Sequence, residues 1–218
     1  MSGASPPPLR NPVSGATTAV PAFLDARRSI RAFAPGPVPR ATLDALVEAA
    51  CTAPAPHHSR PWRFVLVDTI EAKADLAFAM GERWRTDLAG DGVDDDRIDE
   101  LVASSYRKIV EAPAIAVGCL TWDGLDRYPD EERRRAEWGM ALLSLGCALE
   151  NLMLAAADDG LASCWVAAPI FCPEVARDAL ALDPEWLPHA MLLVGRPDPT
   201  YVGRRRPAVP LQALRAFR

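Results

Sequence analysis

The segment Glu131–Asp158 reads as the longest helix of the chain, charged in its first turns and apolar on nearly every face from Trp138 to Ala157. A helix that is apolar all round cannot be left in water. It is expected to be buried against a sheet of its own chain and against a second subunit. Gly160 stands where a C′ residue would end it. Whatever fold forms must therefore be built around this one helix.

The remaining pattern supplies a sheet and shorter helices. Apolar runs at Arg63–Val67, Ala114–Leu120, Leu161–Ala167 and Ala190–Val194 read as strands. Helical spacing appears from Pro21 to Ala26, from Arg40 to Cys51, from Ile70 to Leu88, from Arg97 to Val110 and from Pro173 to about Leu180. Helices outnumber strands and no regular βαβ alternation is present, so the expected class is α+β, a sheet inside a helical shell. With 218 residues and 50% hydrophobic content, one core of good size is expected over residues 20–218. Residues 1–19, rich in Pro, Ser, Gly and Thr, read as a flexible N-terminal arm.

A net charge of -5 argues against a general nucleic-acid binder. The five cysteines form no CxxC pair and sit in apolar runs, as reduced core thiols would. The start of the chain has Pro6–Pro8 and no apolar h-region, and no stretch reads as both long and charge-free enough to span a membrane. The expectation is a soluble cytoplasmic protein. No GxSxG elbow, HExxH helix, P-loop or GxGxxG turn occurs, which removes several hydrolase, metalloprotease and dinucleotide-fold mechanisms.

Two stretches carry chemical interest. In Arg27-Arg28-Ser29-Ile30-Arg31, Arg27, Ser29 and Arg31 can converge on one anion while Ile30 and Phe33 face inward; the alternative is a solvated basic helix end. The second is Cys51–Val67, CTAPAPHHSRPWRFVLV, a loop stiffened by Pro54, Pro56 and Pro61 that runs straight into a strand. Such a loop suits a binding site, unless Trp62 simply plugs the core. His57 and His58 are adjacent, and on an extended segment they would point opposite ways. With no Cys or carboxylate cluster near them in sequence, no metal site is expected. All but two of the 24 basic residues are arginine, and clustered basic and hydroxylic residues lie at both ends without an obvious acid–base pair. That pattern suits chemistry carried by an anionic cofactor.

Taken together, these residues resemble the FMN-dependent nitroreductase family. The signals are Arg27–Arg31, Ala53-Pro54 with Pro61-Trp62-Arg63-Phe64, Glu150-Asn151-Leu152, Gly160-Leu161 and Gly195-Arg196-Pro197. A closer likeness is to the C-terminal nitroreductase-like domain of the bifunctional coenzyme F420 γ-glutamyl ligase, through APAPHHSRPWRF, Arg127-Tyr128-Pro129, Ser163-Cys164-Trp165 and Phe171-Cys172. A stand-alone version is expected, working beside a separate ligase.

The resemblance implies an intertwined homodimer with FMN at the interface. Arg27, Arg28 and Ser29 would hold its phosphate and ribityl chain, with Arg204 and Arg206 closing on the phosphate. Arg31 would approach the N1/O2 edge of the ring. Pro54, Ala55 and Pro56 would come from the other subunit, and Val166, Ala167 and Ala168 would lay backbone along the ring. The F420-linked relatives imply reduction of the enolpyruvyl double bond of dehydro-F420-0 by reduced FMN. His57, His58, Arg60 and Arg63 are the candidates for the substrate end, with His57 or His58 a possible proton donor beside water. Ala55 and His58 stand where many relatives have Ser and Asn, and Glu150 where Gln is commoner. The other readings are a general NAD(P)H-dependent nitro or quinone reductase, and a non-catalytic module that binds FMN or F420.

Overall fold

The computed structural model describes residues 20–202 and 209–218. The N-terminal arm and the phosphate candidates Arg204 and Arg206 lie outside the described residues. In chain order the elements are α1 (Ala22–Ala26), α2 (Arg40–Ala50), β1 (Trp62–Val67), α3 (Ile70–Gly90), α4 (Asp95–Val110), β2 (Ala114–Leu120), α5 (Glu131–Asp158), β3 (Ala162–Val166), α6 (Pro173–Ala179), β4 (Leu187–Gly195) and α7 (Leu211–Leu214). Among the described residues four strands form one sheet in the order β1-β2-β4-β3, every neighbour antiparallel. This is the α+β arrangement expected from the pattern.

Helix ends follow local chemistry. Thr69, Asp94 and Asp130 each cap a helix by accepting backbone N–H groups from the first turn of α3, α4 and α5. At the far end of α5, Gly160 has φ +71°, the Leu161 N–H donates to Ala156 and the Gly160 N–H to Ala157. This is the paired hydrogen-bond pattern of a glycine-terminated helix. β4 begins at Leu187, earlier than its apolar run suggests. Pro188 is opposite Cys119, and the register shifts before Ala190 meets Gly118. A bulge is where a sheet tolerates proline, and Pro188 masked the strand start in the sequence.

α5 and α2 cover one face of the sheet. Leu145, Leu149, Leu152, Leu43 and Leu46 pack there on Ala116, Leu120, Leu192 and Val194. On the other face, Leu76, Ala77 and Met80 of α3 and Ala176 of α6 pack on Ile115, Val117, Met191 and Leu193. Gly118 lets α5 come close, because a Cβ there would meet Leu145 and Leu149 at 3.1 and 3.2 Å. Trp62 is 4% exposed and belongs to the core.

Two expectations need correction. α5 is long and apolar enough, by length and composition, to cross a membrane, contrary to the sequence reading; 44% of its most apolar window is inside the fold. Its outer side leaves Met140, Leu142 and Leu143 exposed within one chain, Leu143 at 73%. The thiols also divide. Cys119, Cys164 and Cys172 are buried, and burial pushes the Cys119 thiol up to about 12, whereas Cys147 is exposed on α5.

Gly195 closes β4 where a Cβ would lie 2.5 Å from Pro113 Cγ and 3.0 Å from Phe33. A proline ring and a strand end cannot yield easily. Gly195→Ala is expected to lower unfolding free energy by about 1–3 kcal/mol, read as a reduced denaturant midpoint at unchanged slope.

Candidate active site

Residues 29–34 form an extended strip along the sheet rather than a helix end. Ser29 bridges Ser163 in parallel, the Ile30 N–H donates to the Ser163 carbonyl at 3.0 Å, and Phe33 bridges Pro197. The Asp198 N–H donates to Ala32 and the Ala34 N–H to Arg196. This strip ties the RRSIR motif to β3 and to the Gly-Arg-Pro turn, two motifs distant in sequence.

An extended strip also spreads its side chains. At ~3.3 Å per residue, Arg27 and Arg31 are separated by roughly 13 Å of chain. Arg27 Nε pairs with Glu150 Oε1 on α5 at 3.0 Å. Arg28 turns back to the Asp25 carbonyl. Arg31 instead lines a cavity of about 250 Å³ with Trp84, Ser105, Lys108, Cys164 and Val166. The expected convergence of Arg27, Ser29 and Arg31 on a single anion is therefore corrected: Arg27 and Arg31 are held at different places.

A second cavity of about 490 Å³, lined by Met80, Trp84, Val166, Ala168, Phe171 and Cys172, shares Trp84, Ser105 and Val166 with the first. Its size is in the ~300–1,000 Å³ range of small-molecule sites. The chain leaves β3 at Val166, and Ala167 leads into a 3-10 turn, Ala168–Phe171. The predicted Val166–Ala168 segment thus lies at the junction of an apolar slot and a cationic one. Burial raises the Cys164 thiol, and nearby Arg31 and Lys108 pull it partly back, a sign of positive potential in the smaller cavity. Lys108, Ser105 and Trp84 went unnoticed in the sequence because α3 and α4 reach β3 only through the fold.

The Pro54–Arg63 candidates lie elsewhere. Pro54, Ala55 and Pro56 line neither of these cavities. His57, His58 and Arg60 have φ of 53°, 55° and 50°. Such left-handed conformations are uncommon for residues other than Gly. The histidines are therefore not on an extended segment, contrary to the sequence reading. The loop is clamped at its base, where the Thr121 N–H donates to Pro61 at 2.8 Å, and Gly124 packs so tightly on Ser59 that a Cβ would come within 2.8 Å. Arg63 is held by Asp123 at 2.5 Å, while His58 and Arg60 are exposed with no ion pair among the described residues. His57 Nε2 lies 3.5 Å from Glu137 Oε1 and 3.8 Å from Asp126 Oδ2. The expectation of no metal site rested on there being no carboxylates near the histidines; these two arrive from distant positions.

The larger cavity is mostly apolar, with Arg83, Asp87 and Asp91 also on its lining, and its neighbour carries Arg31 and Lys108. The fold and cavities together describe an α+β protein with room for a small-molecule ligand. Comparison with known proteins supplies the family. The model of the nitroreductase family matches residues 24–196, and the chain belongs to that family of FMN-dependent oxidoreductases, whose members are typically homodimers. It is 30% identical to the 5,6-dimethylbenzimidazole synthase of Rhodospirillum rubrum over 177 residues, 78% of each chain. It is 39% identical to rat (Rattus norvegicus) iodotyrosine deiodinase 1 over 78 residues, 30% of this chain and only 27% of that protein. The FMN-dependent nitroreductase NfnB from Mycobacterium smegmatis, solved with NADPH, superposes with a TM-score of 0.67 at 22% identity, covering 90% of this chain and 96% of that one.

The residues present fit FMN. Arg31 would meet its polar ring edge or an anionic group, and Val166–Ala168 would back the ring. Arg31→Ala removes one charge-assisted interaction worth ~1.5 kcal/mol, so FMN should bind about tenfold more weakly, measured by flavin fluorescence quenching.

Proposed function

We propose that the chain reduces the enolpyruvyl double bond of dehydro-F420-0 to the lactyl group of F420-0, in the cytoplasm, at the expense of reduced FMN. The observation that carries this reading is the cavity bearing Arg31 and Lys108, which shares Trp84, Ser105 and Val166 with the larger, mostly apolar one. The substrate carries a carboxylate and a phosphodiester, and fixed cations stabilise charge that develops as the alkene is reduced. The likeness of residues 53–64 and 127–129 to F420-linked relatives adds the substrate class.

Reduced FMN, held by Arg31 and the Val166–Ala168 backbone, would supply the hydride for one alkene carbon, and a histidine or water would give the proton to its neighbour, so that two hydrogens are added. Among the loop candidates, His58 and Arg60 are exposed and without an ion pair among the described residues, and so are best placed to meet the substrate's anionic groups. Arg63 is a weaker one, since Asp123 already neutralises it. In a homodimer the exposed face of α5 would be covered, and Pro54–Pro56 of one subunit would reach the partner's flavin. A separate F420 γ-glutamyl ligase would consume the product.

A second reading is a general NAD(P)H-dependent nitro or quinone reductase, which the NADPH complex of the structurally similar nitroreductase favours. A non-catalytic module that binds FMN or F420 is the third.

Anaerobic incubation of the purified protein with FMN, a chemical reductant and dehydro-F420-0, followed by mass spectrometry, separates the three. A protein-dependent gain of two hydrogens supports the proposal. Flavin reoxidation only by nitroaromatics or quinones would replace it with the general reductase, and binding without any turnover would leave the module. His58→Ala is expected to leave FMN affinity unchanged and weaken F420-side binding by about tenfold, the scale of one lost hydrogen bond to an anionic group.

A further inference from the structure

We infer that His57, Asp126 and Glu137 form a binding site for a divalent transition metal ion, zinc in first place. The three residues come from three places: the strained loop before β1, the loop before α5, and the second turn of α5 itself. One ligand atom from each lies within 4.8 Å of the others.

Glu137 carries the argument. It is 1% exposed, and its Oε2 is buried without a hydrogen-bond partner. Its other oxygen, Oε1, accepts only a long 3.3 Å hydrogen bond from the Asp126 N–H and faces His57 Nε2 at 3.5 Å. A buried carboxylate with an unsatisfied oxygen is costly unless a cation meets it. Arg133 and Arg134 do not do so: Arg133 binds Asp130, and Arg134 reaches the carbonyls of Tyr128 and Pro129.

The spacing suits a metal better than a direct ion pair. At 3.5 and 3.8 Å, His57 Nε2 is too far from either carboxylate for a good hydrogen bond. With zinc bonds of ~2.0–2.1 Å, neighbouring ligand atoms of a tetrahedron lie roughly 3.4 Å apart. Glu137 and His57 already stand near that separation. Asp126, exposed on its loop, needs only a small movement to complete it. One imidazole nitrogen and two carboxylate oxygens are a donor set that zinc accepts, with water in the remaining position. His57 reaches the start of α5 from a left-handed backbone, and the Tyr128 hydroxyl donates to Asp126 Oδ2 at 3.3 Å, which helps hold that carboxylate in place. A bound ion would pin the 51–61 loop to the start of the long helix.

The test uses the full chain, stripped with a chelator and titrated with zinc chloride by calorimetry. Metal retained after desalting is counted by mass spectrometry. One zinc per chain is expected, with a rise in melting temperature. His57→Ala and Asp126→Asn, both at exposed positions, should each weaken binding by about a hundredfold, at or beyond the 10–100-fold cost of losing a mere supporting group. Glu137→Gln should do the same if it folds. Failure of the stripped protein to take up stoichiometric zinc would overturn the site. Zinc binding that survives His57→Ala unchanged would also overturn it, placing the ion on other groups such as the exposed Cys147. Neither readout depends on the reaction proposed above.

Discussion

The contact between α5 and the centre of the sheet is the constraint on which the rest depends. Leu145, Leu149 and Leu152 are almost wholly removed from water against β2 and β4, and each such side chain contributes roughly 1.5–3 kcal/mol of burial. Gly118 is the small residue that permits this approach. With α5 fixed, both its ends are placed: Glu137 beneath the 121–130 loop, and Gly160 turning the chain directly into β3. Glu150, midway along, then meets Arg27. A helix this apolar also leaves an uncovered side within one chain, in keeping with a family whose members are typically homodimers.

The sheet makes a site because the 29–34 strip borrows it. Backbone hydrogen bonds to Ser163 and Arg196 turn a basic stretch into an added edge, carrying Arg31 to the margin of an apolar slot. The same geometry that brings Arg31 beside Cys164 and Lys108 carries Arg27 away toward α5. Charge is thus distributed along the strip instead of gathered at one point. The apolar slot and its cationic neighbour meet at Val166, where the strand gives way to a 3-10 turn and the backbone changes direction.

Much of this was legible in the chain. Periodicity located the helices, because their apolar faces repeat at the helical period on amphipathic segments such as α2. β2 was readable because it is buried on both sides and so is an unbroken apolar run. β4 was partly hidden by Pro188, which the bulge accommodates. The RRSIR motif was visible, but its conformation was not: nothing local distinguishes a helix end from a strip whose hydrogen bonds go to residues more than a hundred positions away. His57 and His58 were misjudged for a related reason, since their left-handed backbone follows from the packing of Ser59 on Gly124 and the clamp of Pro61 on Thr121.

The sequence by itself determined the class of fold, the long buried helix and its glycine stop, and the family signals, because each is written in local periodicity or in a contiguous motif. Only the tertiary structure decided which charges meet. Glu137 looks in sequence like one more acidic residue in the charged opening turns of α5, yet it is the most buried carboxylate described, facing a histidine 80 residues earlier. Lys108 and Arg31 are likewise neighbours only because α4 packs on α3 and the strip packs on β3. Electrostatic partners act through space, and a linear pattern holds no record of the distances that closure of the core imposes.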